Sequence, residues 1–274
     1  MLTLHFGDNL PFLKTLPDNS IDLVYIDPPF NTGKQQSLTQ LRTEQTTSEG
    51  DRVGFGGKKF KTTKLGTQSF KDQFLDYPGF LNPRLEEAYR VLKPIGCLFL
   101  HLDYREVHYA KVELDKLFGR SRFMNEIIWA YDYGARSKSK WPAKHDNILW
   151  YVKDPKNYTF NYDEIDRVPY MAPGLVGEAK AARGKTLTSV WWHTIVPTMG
   201  HERTGYPTQK PLGIINRLIR VHTKSGDMCL DFFAGSGTLG ESALRHQRDA
   251  ILVDDNLSAI RTIQKRLAEY CPKH

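Results

Sequence analysis

The stretch Asp231-Phe232-Phe233-Ala234-Gly235-Ser236-Gly237-Thr238 decides the predicted fold, because it joins a strand to a helix through a glycine-rich turn. The apolar run that leads into it is typical of a buried strand, and helical spacing begins directly after it. The next apolar strand ends in Asp254, about 20 residues after the turn, where nucleotide-type folds bind ribose hydroxyls. We therefore predict an α/β fold with a cofactor site at the carboxyl edge of its sheet.

Strands and helices alternate along most of the chain, which predicts a sheet with helices packed against it. Predicted strands cover 2–6, 20–26, 97–103, 123–131, 146–153, 227–233 and 249–255, and predicted helices cover 11–19, 78–96, 105–119, 211–223 and 257–270, with another beginning at the glycine turn. Two segments break this pattern. We interpret 31–76, rich in Thr, Gln, Gly and Lys, as a mobile loop, and 154–206 as an irregular inserted module.

Composition limits the function classes. The 274 residues suffice for one large α/β domain or for one domain with an insertion. Lys and Arg outnumber Asp and Glu by 38 to 31, and the resulting net charge of +7 favours an anionic partner without identifying it. Cys97, Cys229 and Cys271 are far apart, so we predict reduced, mostly buried thiols and neither a zinc site nor a disulfide. No signal peptide or membrane span is recognisable, and we expect a cytoplasmic protein.

The glycine turn alone leaves several ligands open. Gly-rich turns are common packing solutions between a strand and a helix. Gly235, Gly237 and Gly240 also match the spacing of a dinucleotide site, so NAD stays an alternative on this evidence.

The sequence Asp27-Pro28-Pro29-Phe30 provides the chemistry that distinguishes these ligands. It follows the apolar strand SIDLVYI, and its two prolines stiffen the chain where it leaves the strand. A carboxylate and a backbone carbonyl can each accept a hydrogen bond from an exocyclic amine, and Phe30 offers a face for stacking. These groups suit a base that has been flipped out of a duplex.

The same four residues fit the catalytic motif of the amino-group DNA methyltransferases, in which Asp, Ser or Asn precedes two prolines and an aromatic residue. Because this motif precedes the FAGSG turn, the chain resembles the beta group of that family, which is a circular permutation of the common methyltransferase fold. Gly7-Asp8-Asn9, KHDNILWYVK and PTQKPL extend the resemblance. It implies a Rossmann-like mixed sheet flanked by helices, S-adenosylmethionine as cofactor, no metal, and an inserted target-recognition region.

The resemblance also assigns site residues. The implied catalytic residues are Asp27, Pro28, Pro29 and Phe30. The implied cofactor-binding residues are Asp8, Asp27, Lys210, Pro211, Asp231, Phe233, Ala234, Gly235, Ser236, Gly237, Thr238 and Asp254. In this assignment Asp254 holds the ribose and the glycine turn surrounds the methionine part. Asp8 lies near the cofactor adenine, with a local Asx turn as the alternative.

The implied substrate is double-stranded DNA, methylated at adenine N6, because Asp in the first motif position is typical of the adenine enzymes. An N4-cytosine methyltransferase and a catalytically inactive DNA-binding subunit are the alternatives. The chain would divide into a catalytic part (1–153), a target-recognition insertion (154–206) and a cofactor-binding part (207–274). A cognate restriction enzyme and a homodimer are further expected partners. Basic residues in the predicted loop suit DNA phosphates: Lys34, Arg42, Arg52, Lys58, Lys59, Lys61 and Lys64.

Overall fold

The computed structural model describes residues 1–46, 49, 51–53, 57–134, 136–197 and 200–270. The strands in chain order are β1 (Leu2–Phe6), β2 (Ile21–Ile26), β3 (Lys34–Thr46), β4 (Arg52–Val53), β5 (Lys59–Asp72), β6 (Leu92–Leu102), β7 (Phe123–Ala130), β8 (His145–Val152), β9 (Arg167–Val168), β10 (Lys185–Thr186), β11 (Val190–Trp192), β12 (Met228–Asp231) and β13 (Asp249–Asp254). The helices are α1 (Asn9–Leu13), α2 (Tyr77–Val91), α3 (Val107–Phe118), α4 (Glu178–Arg183), α5 (Leu212–His222), α6 (Thr238–Arg245) and α7 (Leu257–Arg266).

A sheet of eight strands forms the centre of the fold, in the order β1-β13-β12-β2-β6-β8-β7-β11. Within the described part of the chain, only β8 of these eight runs antiparallel to its neighbours, which are β6 and β7. The carboxyl ends of the other seven strands therefore share one edge with the amino end of β8. The mixed α/β sheet predicted from the sequence is confirmed.

Helices cover both faces of this sheet. On one face, Leu81 and Leu85 of α2 pack in a core with Leu114 of α3. On the other, Ile215 of α5 and Ile263 of α7 belong to a second core. The central strand β2 is buried at every position, as expected for a strand that is covered on both sides. This explains why the predicted apolar strands were recognisable.

The prediction of a loop without regular structure at 31–76 is wrong, although 47, 48, 50 and 54–56 lie outside the described residues. Strands β3 and β5 pair antiparallel from Lys34↔Asp72 to Thr46↔Lys59, and β4 pairs with β5. We call this three-stranded sheet the ribbon. Its Thr-rich sequence has good strand propensity, and paired backbones satisfy each other's hydrogen bonds without the apolar face on which the prediction relied.

Helix α2 ends earlier than predicted. The sequence places its end at Pro94 and Gly96, but the backbone is already extended at Leu92, the first residue of β6. The β2–β6 ladder shifts register between Ile21 and Leu23, and this irregularity accommodates the proline, which cannot donate a ladder hydrogen bond. Proline and glycine therefore mark a bulge here.

The predicted insertion 154–206 is only partly separate from the sheet, and 198 and 199 lie outside the described residues. Strands β9 and β10 form a small sheet of their own, whereas β11 pairs with β7 at the edge of the large sheet. Trp191 of β11 is buried and Trp192 is exposed, so the first of these tryptophans is a core residue.

Other described features concern the thiols and the helix lengths. Cys97 and Cys229 are free and buried, as predicted, while Cys271 lies outside the described residues. Among the helices in the described ranges, none combines the length and apolar character needed to cross a bilayer.

Candidate active site

A pocket of about 390 Å³ opens at the carboxyl edge of the sheet. Its volume lies within the range of about 300–1,000 Å³ that is usual for cofactor sites. It is lined by most of the residues that the sequence singled out: Asp8, Asp27, Pro28, Pro29, Phe30, Lys210, Asp231, Phe233, Ala234, Gly235, Ser236, Thr238 and Asp254. Pro211 and Gly237 do not line it; they lie at the N-caps of α5 and α6.

Asp27 stands at the centre of this pocket, one residue after β2. Its Oδ2 lies 2.6 Å from Nζ of Lys210, in a pair whose side chains are only 16% and 10% exposed. The other oxygen, Oδ1, is buried and has no hydrogen-bond partner among the described residues. Nζ of Lys210 also lies 4.8 Å from the centre of the Phe30 ring. Lys210 thus contacts both the carboxylate and the aromatic ring of the motif.

Three hydrogen bonds hold the loop that carries Asp27. The hydroxyl of Tyr77, at the start of α2, donates to the carbonyl of Pro29 at 2.7 Å. Asn31 has φ of +53° and donates from Nδ2 to Glu106 at 2.7 Å, while its Oδ1 accepts from the backbone N–H of Phe74. The ends of α2 and α3 therefore fix the motif from outside the pocket.

Behind Phe30 lies a buried chain of hydrogen bonds. The Phe30 and His101 rings are 5.9 Å apart. His101 contacts the Tyr25 hydroxyl through Nδ1 at 2.8 Å and Asp146 Oδ2 through Nε2 at 3.2 Å. Asp146 Oδ1 accepts from the Tyr131 hydroxyl at 3.0 Å. The strand that starts at His145 thus supports the stacking ring from behind.

The glycine turn binds the acid at the end of the next strand. The N–H of Gly235 donates to Asp254 Oδ2 at 2.8 Å, and the N–H of Asn256 donates to Oδ1 at 2.9 Å. Burial nevertheless raises the pKa of Asp254 from 3.8 to about 6, since desolvation outweighs these two hydrogen bonds. The acid therefore titrates close to neutral pH.

Gly237 serves helix packing. It has φ of +75°, and a Cβ there would lie 2.9 Å from a side-chain carbon of Ile263 on α7. Close by, Arg266 of α7 pairs with Glu241 of α6, and its Nη1 donates to the Ser236 carbonyl at 3.2 Å. The turn is thus clamped between α6 and α7.

Asp8 forms the Asx-type turn that the sequence offered as one alternative, at the rim of the pocket. Asp8 is the N-cap of α1, and its Oδ1 accepts from the N–H of Leu10 at 3.0 Å. The same oxygen accepts from Arg84 at 2.9 Å. The Asx-type turn is therefore present, and the residue also lines the pocket.

The pocket is acidic in a chain that is basic as a whole. Among the described lining residues, six carboxylates stand against the cations Arg84 and Lys210: Asp8, Asp27, Asp72, Asp231, Asp254 and Asp255. Burial raises the pKa of Asp231 well above its usual value, and the charges of Asp27 and Asp254 add to this rise. Such a lining favours a ligand that carries positive charge.

Sequence reasoning missed several residues of the site. Tyr206 is buried against the pocket, and a Cβ on Gly235 would come 3.4 Å from its ring. It lies just before the PTQKPL motif, which was the available signal. His101 was missed as well, although a polar residue at the carboxyl end of an apolar strand is a recognisable pattern.

Comparison with known proteins identifies the family. Residues 21–265 match a family model for N6/N4 methyltransferases, described as DNA methylase. The chain belongs to this DNA methylase family. The beta-group resemblance carried by the DPPF and FAGSG motifs is thereby confirmed.

Curated DNA methylases match along nearly the whole chain. Type II methyltransferase M.HpaI of Haemophilus parainfluenzae is 32% identical over 255 residues, which cover 93% of this chain and 70% of that protein. DNA adenine methyltransferase YhdJ of Escherichia coli is 29% identical over 279 residues, which cover 97% and 82%.

Solved DNA methylase structures share the fold. The cytosine-N4-specific PvuII DNA methyltransferase has a TM-score of 0.66 at 16% identity, covering 97% of this chain and 86% of that one. The complex of M1.HpyAVI with SAM has a TM-score of 0.63 at 20% identity, covering 97% and 99%. The methyltransferase fold predicted from the sequence is confirmed.

Proposed function

We propose that this DNA methylase transfers the methyl group of S-adenosylmethionine to N6 of an adenine flipped out of duplex DNA. The observation that carries the proposal is the buried Oδ1 of Asp27, which has no hydrogen-bond partner among the described residues and belongs to a side chain that lines the pocket together with Phe30. A buried acceptor without a partner is costly, and an exocyclic amine would supply the missing donor.

The charge of the pocket lining suits the cofactor. S-adenosylmethionine carries a sulfonium and an ammonium, which suit a lining rich in acidic residues, whereas the pyrophosphate of NAD would be repelled. Asp254 would accept hydrogen bonds from the ribose hydroxyls. Gly235, with φ of +52°, allows close backbone approach. When bound, the cofactor supplies a methyl group on a sulfur that leaves as a neutral thioether.

The protein's part is to position and polarise the amine. Asp27 accepts one hydrogen bond from it, and the carbonyl of Pro28 can accept the second, since that of Pro29 is engaged by Tyr77. Phe30 stacks on the base. These acceptors draw charge into the nitrogen lone pair, a nitrogen–carbon bond forms, and the proton that the amine releases passes to Asp27 or to water.

Lys210 holds the carboxylate until the amine arrives. Its ammonium pairs with Oδ2 and lies over the Phe30 ring. The ion pair keeps Asp27 in place within an acidic pocket.

Adenine is proposed over cytosine for two reasons. The motif begins with Asp, and YhdJ, a DNA adenine methyltransferase, is 29% identical along nearly the whole chain. Both amines need the same acceptors, so the base itself must be measured.

The test is mass spectrometry of nucleosides from unmethylated plasmid treated with the protein and labelled S-adenosylmethionine. We expect N6-methyladenine, and a loss of at least about 100-fold in Asp27→Ala, which removes both side-chain oxygens that could accept from the reacting amine. Asp18→Ala is the matched control, since this exposed carboxylate lies near the opposite edge of the sheet. Detection of N4-methylcytosine would show that cytosine, and not adenine, is the target base. Cofactor binding without any transfer would favour an inactive DNA-binding subunit.

The wider assignments are part of the same proposal. We infer that 154–206 recognises the target sequence, between a catalytic part at 1–153 and a cofactor-binding part at 207–274. The names of the relatives place several of them among Type II enzymes, so a cognate restriction enzyme is the proposed functional partner. A homodimer stays a prediction that sedimentation of the purified protein checks.

A further inference from the structure

The loop between β7 and β8 carries an unusual surface. Residues 131–144 join the two strands and are called the β7–β8 loop. Trp141 in this loop is 95% exposed and Tyr133 is 68% exposed. Large aromatic side chains left in water indicate contact with a partner when they cluster with charge. Neither the catalytic motif nor the glycine turn accounts for them.

This loop lies at the same edge of the sheet as the active site. It follows the carboxyl end of β7 and precedes the amino end of β8. Its stem is joined to the catalytic ring by direct contacts: Phe30 lies against His101, His101 contacts Asp146, and Asp146 accepts from the Tyr131 hydroxyl. The N–H of Tyr131 in turn donates to the Lys144 carbonyl at 2.9 Å.

The loop is held in shape within its described residues. Nζ of Lys144 donates to the carbonyls of Asp132 and Gly134 at 2.6 and 3.1 Å, which closes the stem. Near the tip, Ser137 Oγ accepts from the N–H groups of Ser139 and Lys140 at 3.2 and 3.1 Å. Pro142 restricts the backbone directly after the tryptophan. Trp141 is therefore presented on a structured element.

Its charge fits a nucleic acid. Arg136, Lys138 and Lys140 are exposed, Lys144 is tied into the stem, and Asp132 is the acidic residue of the segment. Exposed cations close to an aromatic tip can contact phosphates while the ring reaches the bases.

We propose that Trp141 enters the duplex where the target base has left it, with Lys138 and Lys140 on the flanking phosphates. A flipped base leaves an unstacked gap beside its neighbours, and an inserted aromatic ring restores the lost stacking. The contacts from Phe30 through His101 and Asp146 to Tyr131 connect the loop that carries Trp141 to the ring that would stack on the flipped base. The proposal rests on DNA methylation by this chain.

Trp141→Ala tests the insertion, with Trp141→Phe as the variant that keeps a stacking ring. On the duplex that the wild type methylates, we expect Trp141→Ala to lose about 10-fold or more in kcat/KM, and Trp141→Phe to retain most of it. Cofactor affinity, measured by calorimetry, should not change in either variant. A second DNA carries a pyrene nucleotide opposite the target, which fills the gap without help from the protein. It should restore Trp141→Ala to the wild-type rate on the same DNA.

The lysines are tested by salt. The double variant Lys138→Gln/Lys140→Gln should lower the slope of log affinity against log salt by about 1 for each lost phosphate contact. Lys224→Gln/Lys265→Gln is the matched control, because both lysines are exposed at the far side of the sheet from the pocket, Lys224 just after α5 and Lys265 in the last turn of α7. Its slope should equal that of the wild type.

The outcomes separate this proposal from the function beneath it. A wild type that transfers no methyl group to DNA would overturn both. A wild type that is active, with Trp141→Ala equally fast on normal duplex or slow on pyrene DNA, would overturn the insertion alone.

Discussion

Asp254 combines two properties that conflict below about pH 6. As an acceptor of ribose hydroxyls it must be ionised, yet burial raises its pKa to about 6 even with two backbone N–H groups on its oxygens. Below about pH 4 this carboxyl is protonated in both folded and unfolded chains. The folded protein binds this proton more tightly than the unfolded chain does, which adds to the free energy of unfolding at low pH. As the pH rises through about 6 this contribution, up to about 3 kcal/mol, is lost.

Cofactor affinity should therefore depend on pH with the opposite sign. We expect the affinity for S-adenosylmethionine to fall by about tenfold for each unit below about pH 6, because the cofactor binds the ionised carboxylate. Calorimetric titrations at several pH values would measure this. Asp254→Asn should bind weakly and lose the dependence. If Asp254→Asn keeps the wild-type dependence of affinity on pH, another acid of the pocket, such as Asp231, is the group that titrates.

Single site residues could be predicted from the sequence where an apolar strand leads directly to them. Asp27 and Asp254 each end an apolar strand, so a single sequence could place them at one edge of a sheet. Tyr206 and His101 left only weak signals, a place just before the PTQKPL motif and a polar residue at the end of an apolar strand. Arg84 reaches the site by contacting Asp8 and Asn9 from α2, which no local pattern records.

At the scale of elements, the two glycines of the turn, Gly235 and Gly237, are needed for different reasons. Gly235 lies against the pocket, whereas Gly237 caps α6 and faces α7. The motif spacing treats both as cofactor residues. The structure separates them, because backbone conformation and close helix contact, rather than a ligand, account for Gly237.

Gly237→Ala should therefore be a stability variant. It combines a φ of +75° with a Cβ that would lie 2.9 Å from Ile263, so we expect a loss of about 2–4 kcal/mol in the free energy of unfolding, measured by urea denaturation. Gly226→Ala is the matched control, with φ of +84° and open space around its Cβ. Its loss should be about 1–2 kcal/mol. Equal losses would mean that the contact between α6 and α7 contributes nothing.

The elements that the sequence missed share a physical cause. Strands β2, β12 and β13 were predicted because buried strands are apolar, and they lie at the centre of the large sheet. The ribbon has no such pattern. Its regularity comes from the pairing of β3 with β5, and a partner 13 to 38 positions away in the chain leaves no mark on local periodicity.

The whole molecule separates its charges. A chain of net charge +7 has an active-site pocket lined mainly by carboxylates, so its cations must lie elsewhere. The acidic pocket attracts a cationic cofactor, and a basic exterior attracts the DNA phosphates. The ribbon carries several of these cations, and it is fixed to the pocket where the N–H of Gly33 donates to the Asp72 carbonyl at 3.0 Å.

This attachment makes the ribbon separable from the site. Replacing 37–69 by Asn-Gly keeps the pairing of Gln36 with Phe70 and leaves Thr32 and Asp72, the pocket-lining residues at its base. Because the replaced segment lies beyond these residues, we expect the truncated protein to bind S-adenosylmethionine as the wild type does. It should also bind DNA with a smaller dependence on salt, since each lost phosphate contact lowers the slope by about 0.9.

A full-length variant separates the charge of the ribbon from its shape. It changes the cations within the replaced segment to glutamine: Arg42, Arg52, Lys58, Lys59, Lys61 and Lys64. If the ribbon acts through phosphates, this variant and the truncation should reduce the slope equally, because both remove the same six cations, whose phosphate contacts set the slope. A reduction in the truncation alone would mean that the ribbon acts through its shape. An unchanged slope in both would remove the ribbon from the DNA interface, and the basic β7–β8 loop would then be the surface to which the remaining salt dependence belongs.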